Sequence, residues 1–489
     1  MKIIFFNLII SSILNIIFAE DILRWSFEFI NHGARTPHYG LDSNLKDFTN
    51  HTWIGQNELT SVGLRQSFLI GYRDRLRYIE EKKLIAEEYD PRDILIYASE
   101  SNKTLMAANA LLHGLFLPGT GPQIDPDLVE RAVPPVDPQS YLDEKKELDS
   151  CNYTALPGRM NLVPVHIFFS HEYMTQYENS KKCIGLKTYE EKNKKRDEVK
   201  EFLEKVNEKY GQKLIQIFPD KDEKTILKDY EFAYLFFDTV VCLYFEGAEE
   251  FDNILNTLDV SEETLLKDSY DFLSLNTVGN GINNDKDFIN YLVSPIFQMI
   301  LNYMDYRIEK DKNGEMNYKG YNLPKYFILS GVSNSLGSFM SFMNKYFETK
   351  IKYANFSTNL HLELYLEKKE NENITENDYR IEYYYDDIFL LSIPYNEFKN
   401  KIKNELLDKS KIEKFCKKEE KEEVEDSSID WFMIGAIISI SITVILVILI
   451  IILLRRRAKM NNAKIDDSGD KTKLLAETKA SQNNEMNDE

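Results

Sequence analysis

The clearest alternation of apolar and polar positions near the start of the chain is Trp25-Ser26-Phe27-Glu28-Phe29-Ile30, which predicts a β-strand. From Thr60, a good helix N-cap, Val62, Leu64, Phe68, Leu69 and Tyr72 recur at helical spacing and predict an apolar helix face. Ile94-Leu95-Ile96-Tyr97 is the continuous apolar run of a buried strand, Ala98 to Asn102 a turn, and Lys103 to Leu115 a second helix. Strand, helix, strand, helix is the order of parallel βα units and predicts a layered α/β core. The middle of the chain, roughly 137–290, changes character. There Glu190 to Phe218 is dense in Lys and Glu, while Val199, Phe202, Leu203, Val206, Tyr210 and Leu214 repeat at helical spacing, so the charges form the wet face of a surface helix. Several such segments in succession predict an α-helical cap insertion. Tyr326 to Ser330 reads as a buried strand returning to the sheet, and His361 to Leu366 with Tyr379 to Tyr385 as a hairpin pair.

Two longer apolar segments bear on topology. Residues 1–19 combine one lysine, an Ile/Phe/Leu run and a small residue at Ala19, the layout of a cleaved secretory signal. Trp431 to Leu454 is 24 residues without a charge, followed at once by Arg455, Arg456 and Arg457. At 1.5 Å rise per residue this spans a hydrocarbon core of about 30 Å, with the basic cluster on the cytoplasmic side. The expectation is a single-pass type I membrane protein: signal peptide 1–19, ectodomain 20–416, charged stalk 417–430, membrane helix 431–454 and a polar cytoplasmic tail 455–489.

Composition narrows the classes. With 80 Asp plus Glu against 60 Lys plus Arg, and a pI near 5.0, the chain is no nucleic-acid binder. Its four cysteines, Cys151, Cys183, Cys242 and Cys416, lack the C-x-x-C spacing of a zinc ribbon or a thioredoxin-type pair. No metal or cofactor is called for. In an oxidising compartment disulfides are expected, and Cys151 and Cys242 either pair or stay buried thiols. Asn50, Asn152, Asn355 and Asn373 in N-x-[ST] sequons become glycan candidates, whereas Asn102 is set aside because its neighbours look buried.

Candidate chemistry sits where the first strand ends, in Asn31-His32-Gly33-Ala34-Arg35-Thr36-Pro37. The carboxyl edge of an open α/β sheet is the usual ligand position. Gly33 allows close backbone approach, Arg35 offers a planar fork for an oxyanion, and His32 is a candidate nucleophile or base.

This stretch resembles the R-H-G-x-R-x-P motif of the histidine acid phosphatase family, a branch of the histidine phosphatases, and the likeness continues along the chain. Gly55 to Tyr78 is similar to the family's G-x-L-T-x-x-G-x-x-Q helix, Lys103-Thr-Leu-Met-Ala-Ala to its R-T-L-M-S-A start, and Val163-Pro-Val-His166 to its P-V-H segment. Leu329-Ser330-Gly331 stands where the family has S-A-H-D, and Leu362-Glu363-Leu364-Tyr365 resembles its F-E-L-Y strand. The resemblance runs from about Arg24 to Cys416. It implies a three-layer histidine-phosphatase-like α/β core with a mainly parallel central sheet and a helical cap. It also implies phosphomonoester hydrolysis at acid pH through a phosphohistidine, with an aspartic acid protonating the leaving oxygen. His166 then either lines the pocket in the family manner or packs in a loop, and His38 is expected at the surface. A disulfide between Cys183 and Cys416 is implied as well.

Position by position, the match is partial. His32 fits the nucleophile and Arg35 the second arginine of the motif, but Asn31 replaces the first arginine and Lys103 the arginine that opens the second helix. Val332 and Ser333 fall on the His-Asp pair, so the proton-donor position holds a serine that cannot act as a carboxylic acid does. The expected protein is a pseudophosphatase that binds a phosphate ester or other anionic small molecule. The alternatives are an active acid phosphatase with another donor, such as Glu100, and a non-enzymatic adhesion or sorting receptor on the same fold. The tail segment with Asp470, Leu474 and Leu475 resembles an acidic dileucine signal, which would engage sorting adaptor proteins and favours an endolysosomal membrane or the cell surface.

Overall fold

The computed structural model describes residues 21–38, 53–132, 153–167, 184–277, 286–313, 323–367, 374–416 and 450–455, and the chain divides into two compact units, 1–418 and 419–489. Within the first unit, a seven-stranded sheet has the order β3-β2-β4-β1-β5-β6-β7. Its strands are β1 (Ile22–Asn31), β2 (Ile94–Ala98), β3 (Val165–Ile167), β4 (Tyr326–Gly331), β5 (Asn359–Leu366), β6 (Tyr379–Tyr385) and β7 (Ile388–Pro394). The first four are mutually parallel and the last three antiparallel, so the predicted hairpin of β5 and β6 is present, extended by β7.

Layers cover both faces. On one side, Trp25, Phe27 and Phe29 of β1 join a core with α8 (Lys286–Asn313) and α9 (Ser333–Phe347). On the other, Ile30, Ile96 and Ile328 pack with α1 (Ser61–Asp74) and α2 (Asn102–Leu115). Because both faces are covered, Ser26 and Glu28 are buried too, and the alternation of β1 separates an apolar core from a buried polar network rather than core from water.

Thr60 caps α1 as predicted, its hydroxyl accepting from the Gly63 N–H at 3.2 Å. The inward face of that helix differs from the expected one. Gly63, Ser67, Ile70, Gly71 and Asp74 are buried, while Leu64, Leu69 and Tyr72 are exposed. Close packing is the reason: a Cβ on Gly71 would lie 1.8 Å from the Leu111 carbonyl oxygen, and one on Gly114 2.1 Å from that of Phe68. Small residues let the two backbones touch, so the helix turns its glycine stripe inward and leaves larger apolar groups outside.

Between β3 and α8 lie α3 (Ile184–Lys194), α4 (Asp197–Leu214), α5 (Tyr230–Glu246), α6 (Glu249–Leu258) and α7 (Glu262–Thr277). They enclose a separate apolar cluster containing Val199, Leu203, Val206, Tyr210 and Leu214, the residues the helical spacing singled out. The chain enters extended backbone at Arg196, which divides the single predicted helix into α3 and α4. After β7 come α10 (Tyr395–Lys403) and α11 (Lys409–Cys416). In the second unit, 450–455 is helical and Ile450 to Leu454 are exposed. Among the described residues, no helix is long and apolar enough to cross a membrane; most of 431–454 lies outside them.

Candidate functional site

Three parallel strands end side by side. Asn31 pairs in register with Gly331, and Ala98 with Ser330, so the loop after β1, the start of α2 and the start of α9 share one edge of the sheet. The loop after β1 is held against α1. Thr60 donates its N–H to the Ala34 carbonyl at 3.1 Å, Ala34 donates to the Gln66 side chain at 2.8 Å, and Thr36 donates to the Glu58 carbonyl at 2.9 Å. Gly33 and Gly63 make this contact possible. A Cβ on Gly33 would sit 2.3 Å from the Gly63 carbonyl oxygen.

His32 is buried, with Nδ1 2.9 Å from the carbonyl oxygen of Gly33 and its ring against Phe356. An Nδ1–H donated to that carbonyl leaves the Nε2 lone pair as the reactive one. Burial holds the imidazole pKa well below its ordinary value, and the positive charges of Lys103 and Arg35 push the same way. His32 is therefore a neutral imidazole, the form a nucleophile needs, and both cations act on it electrostatically.

Arg35 does not present an open fork. Its Nη2 and Nη1 donate to the two carboxylate oxygens of Asp238 at 2.6 and 3.1 Å, and the His38 N–H donates to the same carboxylate at 2.8 Å. Asp238 comes from α5, so the cap supplies an anion to the sheet edge. Burial disfavours both charges, yet the attraction outweighs it: Arg35 is held above its ordinary pKa and Asp238 below the usual carboxylate range. The guanidinium also lies over Phe356, 5.4 Å from the ring centroid.

Two of the substituted positions bond to each other. Asn31 Nδ2 donates to Ser333 Oγ at 3.0 Å and to the carbonyl oxygens of Asn355 and Ala354 at 2.7 and 3.4 Å. Val332 takes the cap position of α9, and Lys103 Nζ donates to Asn57 Oδ1 at 2.6 Å. A cavity of about 60 Å³ is lined by Arg35, Asp238, Tyr234, Ser333, Asn355 and Phe356 among others. That is well below the roughly 300–1,000 Å³ of ordinary small-molecule sites. His32, Lys103 and Val332 are not among its lining residues.

Other expected positions fall elsewhere. Glu100 is exposed in the turn before α2, and His166 is exposed on β3 with its ring against Tyr97. His38, expected at the surface, is half-buried and packs near Tyr234. Asn102 is itself exposed and donates to Glu58, although Lys103 and Thr104 beside it are buried. Asn355 is half-buried at the cavity. Cys242 is a free buried thiol, and Cys416 is disulfide-bonded. Cys183, Asn50, Asn152, Asn373, Asp470, Leu474 and Leu475 lie outside the described residues. The residue that sequence reasoning missed is Asp238. A lone aspartate inside the apolar run Phe236-Phe237-Asp238-Thr239-Val240-Val241 was the available signal, because a buried carboxylate needs a partner.

The fold and this edge define an α/β protein with a histidine and basic side chains gathered at the ends of parallel strands. Residues 23–386 match the histidine phosphatase superfamily (branch 2), and the chain belongs to that superfamily. A lysosomal acid phosphatase of Xenopus laevis is 32% identical over 114 residues, 23% of this chain and 25% of that protein. A lysophosphatidic acid phosphatase type 6 of Mus musculus is 29% identical over 84 residues, 17% of this chain and 20% of that protein. The chain thus spans a quarter or less of the length of these curated relatives. Among solved structures, the apo form of the Hafnia alvei phytase aligns at 11% identity with a TM-score of 0.46, covering 81% of this chain and 98% of that one. The phytase of Klebsiella sp ASR1 aligns at 15% identity with a TM-score of 0.44, covering 75% and 83%.

Proposed function

We propose that this chain is a membrane-anchored histidine phosphatase-fold protein with little or no phosphomonoester turnover, whose pocket accepts an anionic ligand only in competition with its own carboxylate. The observation that carries this reading is the Arg35–Asp238 pair. Asp238 meets the guanidinium with two oxygens at 2.6 and 3.1 Å, as a phosphate would. Nor can Asp238 serve as the missing proton donor, because Arg35 keeps it ionised.

The remaining deficits have magnitudes. Losing one pre-organised donor, as at Asn31, costs on the order of a hundredfold to a thousandfold. Losing the general acid, as at Ser333, costs roughly a hundredfold to ten-thousandfold. Such losses do not multiply cleanly within one catalytic unit, but either alone leaves slow turnover. His32 is not the defect, since its neutral imidazole and Nδ1 contact suit phosphoryl transfer.

The apolar segment 431–454 with Arg455 behind it, the exposed apolar residues Ile450 to Leu454 and the signal-like residues 1–19 support the single-pass topology. The lysosomal name of the Xenopus laevis relative and the Asp470/Leu474/Leu475 segment favour an endolysosomal membrane or the cell surface, with adaptor proteins at the tail. A Cys183–Cys416 bridge is favoured by the packing of α3, which begins one residue after Cys183, on α11, where Gly185 lies against the Phe415 ring.

The test is full-length protein in detergent with a chromogenic phosphate ester at pH 4 to 6, beside His32→Ala. The expected result is no turnover that depends on His32. Robust turnover that vanishes in His32→Ala overturns the reading.

A further inference from the structure

The polar face of β1 leads to a second cluster, away from the loop after β1. Glu28 on β1, Asp74 at the end of α1 and His361 on β5 are all buried, and each offers one ligand atom within 4.8 Å of the other two. His361 Nε2 lies 3.9 Å from Glu28 Oε1 and 4.0 Å from Asp387 Oδ1. Asp74 is 1% exposed, and among the described residues no N–H or hydroxyl donates to its Oδ2, which is left to face the carboxyl of Glu28 at hydrogen-bond range. Two buried carboxyls that face each other need a positive charge between them, either a shared proton or a metal ion.

The surroundings fix the imidazole as a ligand. Tyr78 donates its single O–H to Glu363 at 2.7 Å, so the 2.9 Å contact between Tyr78 and His361 Nδ1 has the histidine as donor. The proton is thus on Nδ1, and the Nε2 lone pair faces the carboxylates. Among the described residues it is met there by the Asn359 amide, which donates to both Nε2 (2.9 Å) and Glu28 Oε1 (3.1 Å). A histidine whose far nitrogen donates into a tyrosine–carboxylate chain has the outer support typical of metal ligands. Charge points the same way. Glu28, Asp74, Asp386 and Asp387 gather around the guanidinium of Arg73, while that of Arg77 acts on His361 from the other side of the ring, where Tyr78 and Glu363 lie.

We propose that Glu28, Asp74 and His361 form a binding site for one divalent transition-metal ion of the Zn²⁺ class, riveting β1, the end of α1 and β5. The donor set, two carboxylate oxygens and one imidazole nitrogen, is of the mixed N/O type that Zn²⁺ accepts at about 2.0–2.2 Å. Such bonds set neighbouring ligand atoms about 3.4 Å apart in a tetrahedron, so the 3.9 Å pair closes by about half an ångström as the Asn359 amide gives way. Asp387 at the rim, its side chain 32% exposed, supplies the fourth ligand or admits water, and it is the route of entry.

The experiment is full-length protein stripped with EDTA and titrated with Zn²⁺ at pH 7, read by elemental analysis and thermal unfolding. About one equivalent binds, and at a hundredfold excess over Kd the midpoint rises by about 3 °C for a fold of this size. Asp74→Asn loses both the equivalent and the shift. Zn²⁺ that binds Asp74→Asn equally, or no bound metal and no shift in the wild type, overturns the site. In the latter case, a rise of the midpoint in Asp74→Asn assigns the cluster to a proton shared between Glu28 and Asp74. Should Asp74→Asn not fold, Co²⁺ titrated into the wild-type chain decides: a visible d–d band saturating at one equivalent supports the site, and its absence refutes it.

Discussion

Asp238→Asn tests whether the cap carboxylate closes the anion pocket. The side chains of Arg35 and Asp238 are 8% and 5% exposed, so the variant leaves a buried guanidinium without a counter-charge. Breaking a buried pair costs about 3–5 kcal/mol, and because Asn keeps an acceptor oxygen for the His38 N–H, the lower end applies. With about 2.1 cal/mol/K of unfolding entropy per residue over a unit of roughly 400 residues, 3 kcal/mol lowers the midpoint by about 4 °C. Inorganic phosphate then becomes the missing anion. At a hundredfold excess over its intrinsic Kd it returns about 2.7 kcal/mol, or about 3 °C. In the wild type the same phosphate must displace a carboxylate held by about 3 kcal/mol, which weakens its apparent affinity roughly 150-fold and leaves a shift below about 1 °C. The assay is thermal unfolding of both proteins across a phosphate series at pH 6. Equal phosphate shifts in the two proteins, or a variant as stable as the wild type, would refute the argument.

Further outcomes concern the scaffold. Gly33→Ala drives a methyl group into the Gly63 carbonyl, 2.3 Å away, and is expected to cost at least about 1–3 kcal/mol in urea unfolding; a loss under about 0.5 kcal/mol contradicts the close approach. His32 has a folded pKa depressed below its unfolded value near 6.5, so its contribution is complete above that pH and fades as pH falls toward the folded pKa. Stability of the wild type should therefore fall by up to about 1.4 kcal/mol per pH unit more steeply than that of His32→Gln in that window, as read from unfolding midpoints at matched salt. Arg77→Ala leaves Glu363, which is fully buried and takes two bonds from Arg77 at 2.7 and 2.6 Å, with the Tyr78 and Tyr365 hydroxyls but without its counter-charge, and should lower stability by about 3 kcal/mol in denaturant titration.

How legible this was from the sequence follows the physics of each element. Strands β1, β2, β4, β5 and β6 and helix α2 were readable because local apolar patterning coincides with their burial. The inward face of α1 was misread, since glycines that permit close packing carry no hydrophobic signal. The burial of Glu28 and Ser26 was not legible, because alternation predicts a strand without distinguishing water from a satisfied buried network on its polar face. Asn31, His32, Arg35 and Lys103 were singled out by the resemblance to the family's motifs. Asp238, 203 residues from Arg35, was not, because a long-range pair formed by an inserted cap leaves no local trace.

The substituted positions carry a further consequence, because they are bonded into the fold as well as lost to chemistry. Asn31 ties β1 to the first residue of α9 through Ser333 and to the carbonyls of Ala354 and Asn355. Restoring the family residue with Asn31→Arg alone removes the two hydrogen bonds that the amide's two N–H groups can make, each worth about 1 kcal/mol, and buries a charge opposite a neutral serine. Ser333→Asp alone places a carboxylate opposite the Asn31 amide and leaves the pocket without its arginine. Each single change should destabilise the protein, and the pair should recover about 0.5–3 kcal/mol of coupling in a double-mutant cycle. Turnover needs one more step, since Arg35 remains occupied until Asp238 is neutralised. His32-dependent hydrolysis is thus expected only when Asn31→Arg, Ser333→Asp and Asp238→Asn are combined, and Asn31→Arg alone gaining activity in the chromogenic assay would show that the Arg35–Asp238 pair opens without help.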